Sequence, residues 1–170
     1  MARPANLTGP TSGPRRGGRA QDTGVGDPYK RTAKLQEPTV CPQCGAVYHH
    51  GRWQWAAPPP GAHSAVCQAC HRVNDNFPAG ILAIGGRFAL RHRDEIRRIV
   101  QRQEEIEKPE HPFNRIIRLR DEPGGIVVTP TDVHLPRRIG EALKAAYDGA
   151  LTLDYDEDGY FLRARWQRDD

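Results

Sequence analysis

The strongest constraint on this chain is a set of four cysteines arranged as two Cys-x-x-Cys pairs. Cys41 and Cys44 form the first pair, Cys67 and Cys70 form the second, and residues 45–66 separate them. Each tight turn presents two thiolates to one side of an ion, and four thiolates complete the tetrahedron that Zn²⁺ prefers. The spacing therefore predicts a structural zinc site. We expect it to stabilise a small zinc ribbon or knuckle that is poor in Leu and Ile.

Other uses of four cysteines are less consistent with the sequence. Two disulfides need an oxidising compartment, but the N-terminus lacks the apolar middle of a secretory signal. The longest mostly apolar stretch, at 79–84, is too short to span a membrane, so we expect a cytoplasmic protein. A redox dithiol usually begins a helix of a β-α-β unit, which neither pair does. An iron–sulfur cluster uses the same four thiolates, so the ligands alone leave zinc and iron both open.

The N-terminal tail holds the surplus of positive charge. The chain has 25 Lys+Arg and 21 Asp+Glu, and residues 1–38 contain seven of the basic and three of the acidic residues. Residues 1–36 are rich in Gly and Pro and poor in large apolar side chains, which predicts a disordered tail. Arg15, Arg16 and Arg19 form an Arg-Gly tract of the kind that lies along phosphate backbones. The alternative is a solubilising tail whose arginines are incidental.

The rest of the chain predicts an α+β protein in three parts. A zinc-binding module occupies 37–86 and a connecting helix occupies 87–110, where apolar residues recur every three or four positions. A ββαββ domain follows at 111–170. Its two hairpins are indicated by alternating apolar residues on either side of turn sequences, and its helix covers one face of the sheet. Thr131 or Asp132 is expected to cap that helix, which begins near Val133.

Two groups of residues are candidate nucleic-acid contacts. Between the cysteine pairs, Arg52 and Trp53 lie in a run of aromatic, basic and histidine side chains that suits stacking on unpaired bases. Trp53 and Trp55 equally suit a structural position against the metal site. The second group is a basic strip on the outward face of the sheet, formed if the end strands pair: Arg118, Arg120, Arg163 and Arg165. Dilution of that strip by Asp121 and Asp154 into an ordinary solvated face is the alternative.

Catalytic motifs are not evident. The sequence has no Gly-rich phosphate loop, no His-Glu-x-x-His and no nucleophile elbow. Four cysteine ligands also leave no open coordination position for a catalytic metal. We therefore expect a non-enzymatic protein with no small-molecule substrate and no membrane partner.

Several segments resemble a bacterial family of small, uncharacterised zinc-ribbon proteins. The matching segments are 37–48, 51–55, 67–72, 111–116 and 131–139. That family is similar to the N-terminal region of the Nmd-three proteins, the archaeal and eukaryotic adaptors for export and maturation of the large ribosomal subunit. The resemblance covers about 27–168 and implies zinc binding with RNA or a ribosomal subunit as partner. The adaptors carry further cysteine pairs and β-barrel domains that this chain lacks, so it implies no export role.

These observations predict a zinc-binding protein that binds RNA or the ribosome. The alternative is a zinc-stabilised adaptor or regulator that makes no nucleic-acid contact. In that case the zinc module and the helix at 88–106 would dock a protein partner.

Overall fold

The computed structural model describes residues 28–29 and 34–170. The predicted tail contacts Arg15, Arg16 and Arg19 lie outside the described residues. Within the described part, no helix is both long enough and apolar enough to cross a bilayer.

A small sheet and one helix carry the cysteines. Strands β1 (Thr39–Val40), β2 (Val47–His49), β3 (Arg52–Gln54) and β4 (His63–Ser64) lie in the order β3-β2-β1-β4, and helix α1 (Gln68–Asp75) follows. Strand β1 pairs antiparallel with β2 and parallel with β4. The buried cluster of this unit consists of cysteines and Ala69, with half-buried neighbours such as Trp53 and Phe113. Units this small, with so little buried apolar surface, usually depend on a metal ion or on disulfides for their stability.

A five-stranded sheet forms the centre of the remaining chain. Its strands are β5 (Gly80–Gly85), β6 (Ile116–Glu122), β7 (Gly125–Pro130), β8 (Ala150–Tyr155) and β9 (Leu162–Gln167). They lie in the order β6-β7-β5-β9-β8. Strand β5 pairs antiparallel with β7 and parallel with β9. Both predicted hairpins are present, but they lie on opposite sides of β5.

Strand β5 is not predicted from the sequence. The sequence pattern places residues 80–85 at the end of the metal-binding segment, whereas the structure pairs them with both hairpins. A short apolar run does not by periodicity alone distinguish a buried strand from a buried helical turn, which explains the omission. The predicted ββαββ order is therefore correct along the chain for β6 to β9. It does not describe the sheet, because the central strand β5 precedes all of these elements in the sequence.

Three helices cover one face of this sheet: α2 (Arg87–Arg91), α3 (Arg93–Glu107) and α4 (His134–Tyr147). The single helix predicted at 87–110 is interrupted at His92, where the backbone leaves the helical region (φ −116°, ψ 31°). Ile96 and Val100 of α3 are fully buried in the same core as Leu135 and Ile139 of α4. Helix α3 therefore contributes to the core, and along the chain it lies between β5 and β6 of the same sheet instead of joining two separate units.

The strands supply the other half of that core. Leu162, Ala164 and Trp166 are buried at alternate positions of β9, as the alternation predicts, and the Trp166 indole N–H donates to the Asp148 carbonyl at 2.8 Å. The same alternation predicts that Leu153 and Tyr155 of β8 face inward. They lie opposite the buried Ala164 and Leu162, but they are 37% and 42% exposed because β8 is an edge strand.

Two local details concern the cap of α4, which the sequence left open, and the register of β6, which differs from the expected alternation. Asp132 caps α4, since its carboxylate accepts from the backbone N–H groups of His134 (3.0 Å) and Leu135 (3.1 Å). Strand β6 contains a register shift between Ile116 and Arg118. Simple alternation along this segment predicts that Ile117 faces the core. Because of the register shift, Ile116 packs on the core instead.

Candidate metal centre and nucleic-acid interface

The four cysteines come together, as predicted. All four Sγ atoms lie within 4.8 Å of one another. The Sγ atoms of Cys41 and Cys70 are 3.8 Å apart, and so are those of Cys44 and Cys67. With a Zn–S distance of about 2.3 Å, the edge of a regular tetrahedron is about 3.8 Å. A disulfide needs about 2.05 Å, so these are free thiols spaced for a tetrahedral ion.

Two backbone turns position the sulfurs. After the first pair, Gly45 adopts a left-handed conformation (φ +80°), and its N–H donates to the Cys41 carbonyl at 2.9 Å. At the second pair, Cys67 precedes α1 as its N-cap, and its Sγ accepts from the Cys70 N–H at 3.4 Å. The Cys67 N–H in turn donates to Cys41 Sγ at 3.3 Å, which joins the two turns.

Burial and hydrogen bonds from backbone N–H groups shift the pKa of the cysteine thiols in opposite directions. Burial alone would raise the pKa of the Cys41 thiol, but hydrogen bonds from nearby backbone N–H groups lower that pKa to about 7. Burial raises the pKa of Cys67 and of Cys70, so ionising these two thiols has a desolvation cost. A bound divalent cation would offset that cost by holding the thiols as thiolates.

Arg115 places a guanidinium against three of the four sulfurs. Its Nη1 lies 3.3 Å from Cys70 Sγ, and its Nη2 lies 3.3 Å from Cys67 Sγ and 3.5 Å from Cys44 Sγ. Burial would lower the pKa of Arg115, but the adjacent thiolates raise it, so the group stays charged. Four thiolates around a divalent ion carry a net charge of −2, and Arg115 offsets one of those charges.

The backbone of Arg115 is fixed to the five-stranded sheet. Its N–H donates to Thr131 Oγ1 at 3.1 Å, and the Thr131 N–H donates to the Arg115 carbonyl at 2.8 Å. The Thr131 hydroxyl also donates to the Phe113 carbonyl. Thr131 directly follows β7, so this network connects the cysteine cluster to the larger sheet. Sequence analysis missed Arg115 because no local pattern marks a residue that meets cysteines 45 to 71 positions away.

The two tryptophans between the cysteine pairs have different environments. Trp53 is half-buried against the cysteine cluster, with its ring centroid 6.0 Å from that of Phe113 and 5.6 Å from that of Tyr48. Trp55 is 37% exposed, and its indole N–H donates to the Lys108 carbonyl at 2.8 Å. Arg52, the other candidate contact in this segment, is exposed.

The four candidate arginines lie on the face of the large sheet that no helix of the described chain covers, but they form no single strip. The expected pairing of their strands is wrong, because β7 and β5 lie between β6 and β9. Three strand spacings separate the two rows, about 14 Å. Pairing registers place four small or apolar residues between the rows: Ile81, Ala83, Val127 and Thr129. We call this surface, with the rows Arg118–Arg120 and Arg163–Arg165, the open face.

Acidic residues reduce the positive charge of the open face less than expected. Asp121 lies on the opposite side of β6, where its carboxylate is 2.7 Å from Arg97 Nη2 and 3.1 Å from Arg93 Nη1 of α3. These arginines lower the pKa of Asp121. Asp154 does face the open side, opposite Arg163, and Arg120 pairs with Glu122 at 3.4 Å.

Three of the four arginines keep their charge available. Within the part of the chain that the structure describes, no carboxylate lies within 4.0 Å of the guanidinium of Arg118, Arg163 or Arg165. The Arg163 guanidinium stacks on Phe161, 4.8 Å from the ring centroid.

Comparison with known proteins yields no relative. No family model matches the chain, and neither the curated proteins nor the solved structures contain a match. The functional assignment therefore rests on the geometry of this chain.

Proposed function

We propose that the protein is a non-enzymatic, zinc-stabilised RNA-binding protein that uses the open face of its large sheet to bind phosphates. The observation that carries RNA binding is the pair of arginine rows on one uncovered sheet face. Guanidinium groups bind phosphate oxygens in a bidentate manner, and counterion release makes such contacts favourable. The resemblance to an uncharacterised bacterial family, itself similar to the N-terminal region of the Nmd-three adaptors, favours structured or ribosomal RNA in the cytoplasm as the partner.

Zinc has a structural role in this proposal. The thiol spacing fits a tetrahedral ion, and four cysteine ligands leave no position for substrate. Binding of structural zinc contributes about 10–16 kcal/mol of apparent free energy in small domains. That energy would hold the cysteine segment folded and, through Arg115, keep it fixed to the five-stranded domain.

The dependence of RNA affinity on salt tests the proposal. Fluorescence anisotropy of the zinc-loaded full chain with a labelled structured RNA would be measured from 50 to 200 mM salt. Four phosphate contacts predict a loss of about 50- to 150-fold in affinity over that range.

A matched pair of double variants tests the location. Arg163→Gln with Arg165→Gln should weaken binding and reduce the magnitude of the salt slope by about one per lost contact. Arg91→Gln with Arg98→Gln removes the same charge from exposed positions on α2 and α3, and affinity should stay close to that of the parent chain. Binding that is insensitive to salt, or equally weakened by both double variants, would reject the open face as the RNA site.

A further inference from the structure

A cleft of about 540 Å³ lies where the cysteine-bearing unit meets the five-stranded domain. Its lining includes Trp53 and Gln68 of the cysteine-bearing unit and Phe113, Asp132 and Tyr160 from the chain that follows. We call it the junction cleft. Its volume falls within the range of about 300–1,000 Å³ that is usual for small-ligand sites, which form preferentially between structural units. It shares no residue with the open face.

The walls of the junction cleft combine aromatic and hydrogen-bonding groups. The rings of Trp53 and Phe113 lie 6.0 Å apart at 45°, and both line the cleft. Asn114, which is 5% exposed, and the carboxylate of Asp132 add polar groups that are held in place by hydrogen bonds to Glu107 and to the start of α4. Aromatic surface with fixed donors and acceptors is the chemistry that binds an unstacked base.

Exposed cationic and titratable groups surround the entrance. Arg52 lies on the side of the cysteine-bearing unit, and His111 and His134 lie on the side of the larger domain. Glu110 is the exposed acidic residue among them. A phosphate attached to a bound base would therefore meet Arg52 and two imidazoles, with the carboxylates of Glu110 and Asp132 opposing them.

The cleft and the open face are connected along β9. Tyr160 lines the cleft, and Arg163 of the open face follows three residues later, so their Cα atoms are at most about 11 Å apart. Arg118 pairs with Thr129 near the C-terminal end of β7. Thr131, which directly follows β7, accepts a hydrogen bond from the backbone N–H of Arg115. This end of the open face therefore lies close to the cleft, so one RNA strand could contact both.

We propose that the junction cleft binds the base of one unpaired nucleotide, with the base against Trp53 and Phe113 and its phosphate at Arg52 and His134. This inference rests on the proposed RNA binding and adds to it a site that contacts a base. The open face would provide affinity through phosphates, and the cleft would select RNA that offers an unpaired nucleotide.

The first test uses mononucleotides, so that it does not depend on RNA binding. The full chain, with zinc, is titrated with AMP, GMP, CMP and UMP, and separately with ribose 5-phosphate, while ¹H–¹⁵N NMR follows the Trp53 indole N–H. Stacking of one base predicts affinity about 5- to 150-fold higher for at least one mononucleotide than for ribose 5-phosphate. Equal affinity for both, or shifts confined to the open face, would overturn the inference.

Variants at the cleft entrance test the proposed phosphate contacts, and a variant of an exposed arginine elsewhere is the control. Arg52→Gln and His134→Ala should each weaken mononucleotide binding several-fold, whereas Arg91→Gln, an exposed charge removed from α2, should leave it unchanged. Equal weakening by Arg91→Gln would also overturn the inference.

An RNA titration separates this inference from the proposed function. If a structured RNA binds the open face without perturbing the Trp53 indole, RNA binding stands and the base site in the cleft is rejected. If mononucleotides bind in the cleft but RNA does not bind the open face, the RNA proposal fails and the cleft is a site for free nucleotides instead.

Discussion

Replacement of Arg115 by Met is expected to weaken zinc binding without removing any ligand. Methionine keeps an unbranched apolar stem but ends near the position of the arginine Nε, so it removes the charge and the three N–H···S contacts at 3.3, 3.3 and 3.5 Å. A hydrogen bond to a charged group contributes about 1.5–3 kcal/mol, but these contacts are long and share one guanidinium, so they do not add. Loss of a residue that supports metal ligands typically costs 10- to 100-fold in metal affinity, about 1.4–2.7 kcal/mol.

Competition between the protein and a chromophoric chelator for Zn²⁺ measures this affinity. Arg115→Met should bind zinc 10- to 100-fold more weakly than the parent chain, and Arg115→Lys should fall between them, since lysine keeps the charge but not the planar fork. Arg118→Met is the matched control, because Arg118 is exposed on β6 and has no sulfur contact. Substitution with Co²⁺ should show that the four-thiolate geometry survives in Arg115→Met.

Two results would refute this reasoning. Unchanged zinc affinity in Arg115→Met would mean that the guanidinium does not offset the charge of the site. Complete loss of metal would mean that the substitution unfolds the cysteine-bearing unit, so that Arg115 acts as a folding determinant and the 10- to 100-fold magnitude does not apply.

Three further substitutions test other parts of the account. Cys67→Ser should release the metal and unfold the cysteine-bearing unit, and a fully metallated, folded variant by elemental analysis and circular dichroism would show that the ligand set is wrong. Asp132→Ala should lower the free energy of unfolding in urea by about 1 kcal/mol, because two N–H groups of α4 lose their acceptor, while Asp132→Asn should lower it less. Asp121→Asn should lower the melting temperature at neutral pH. Because Arg97 and Arg93 depress the pKa of Asp121 in the folded chain, that stabilisation is present above its unfolded value of about 3.9 and is lost as pH falls through the folded value. Melting curves of both proteins should therefore converge at acidic pH, once Asp121 of the parent chain is protonated in the folded state, and a difference that persists there would exclude the ion pair as its cause.

Local features of the sequence were sufficient to predict the clustering of the four cysteines and both hairpins. A Cys-x-x-Cys turn and the Pro-Gly-Gly sequence before β7 act over a few residues, and the structure has them where the sequence placed them. From the sequence, either Thr131 or Asp132 is expected to cap α4. The choice between them depended on a distant contact, because the Thr131 hydroxyl is engaged by the segment around Arg115.

Features that depend on long-range pairing could not be predicted in this way. Strand β5 is recognisable as central only once β7 and β9 are known to lie on either side of it. Strands β7 and β5 also separate the two arginine rows of the open face. The rows would form a single strip only if β6 and β9 were adjacent. Arg115 has no sequence signature, since its partners become neighbours only when the two sheets assemble.

X-ray absorption at the metal K-edge of the purified full chain tests the central claim most directly. The account predicts one zinc ion per chain with four sulfur neighbours at about 2.3 Å. A zinc shell with fewer than four sulfurs, or an iron edge in place of the zinc edge, would contradict it.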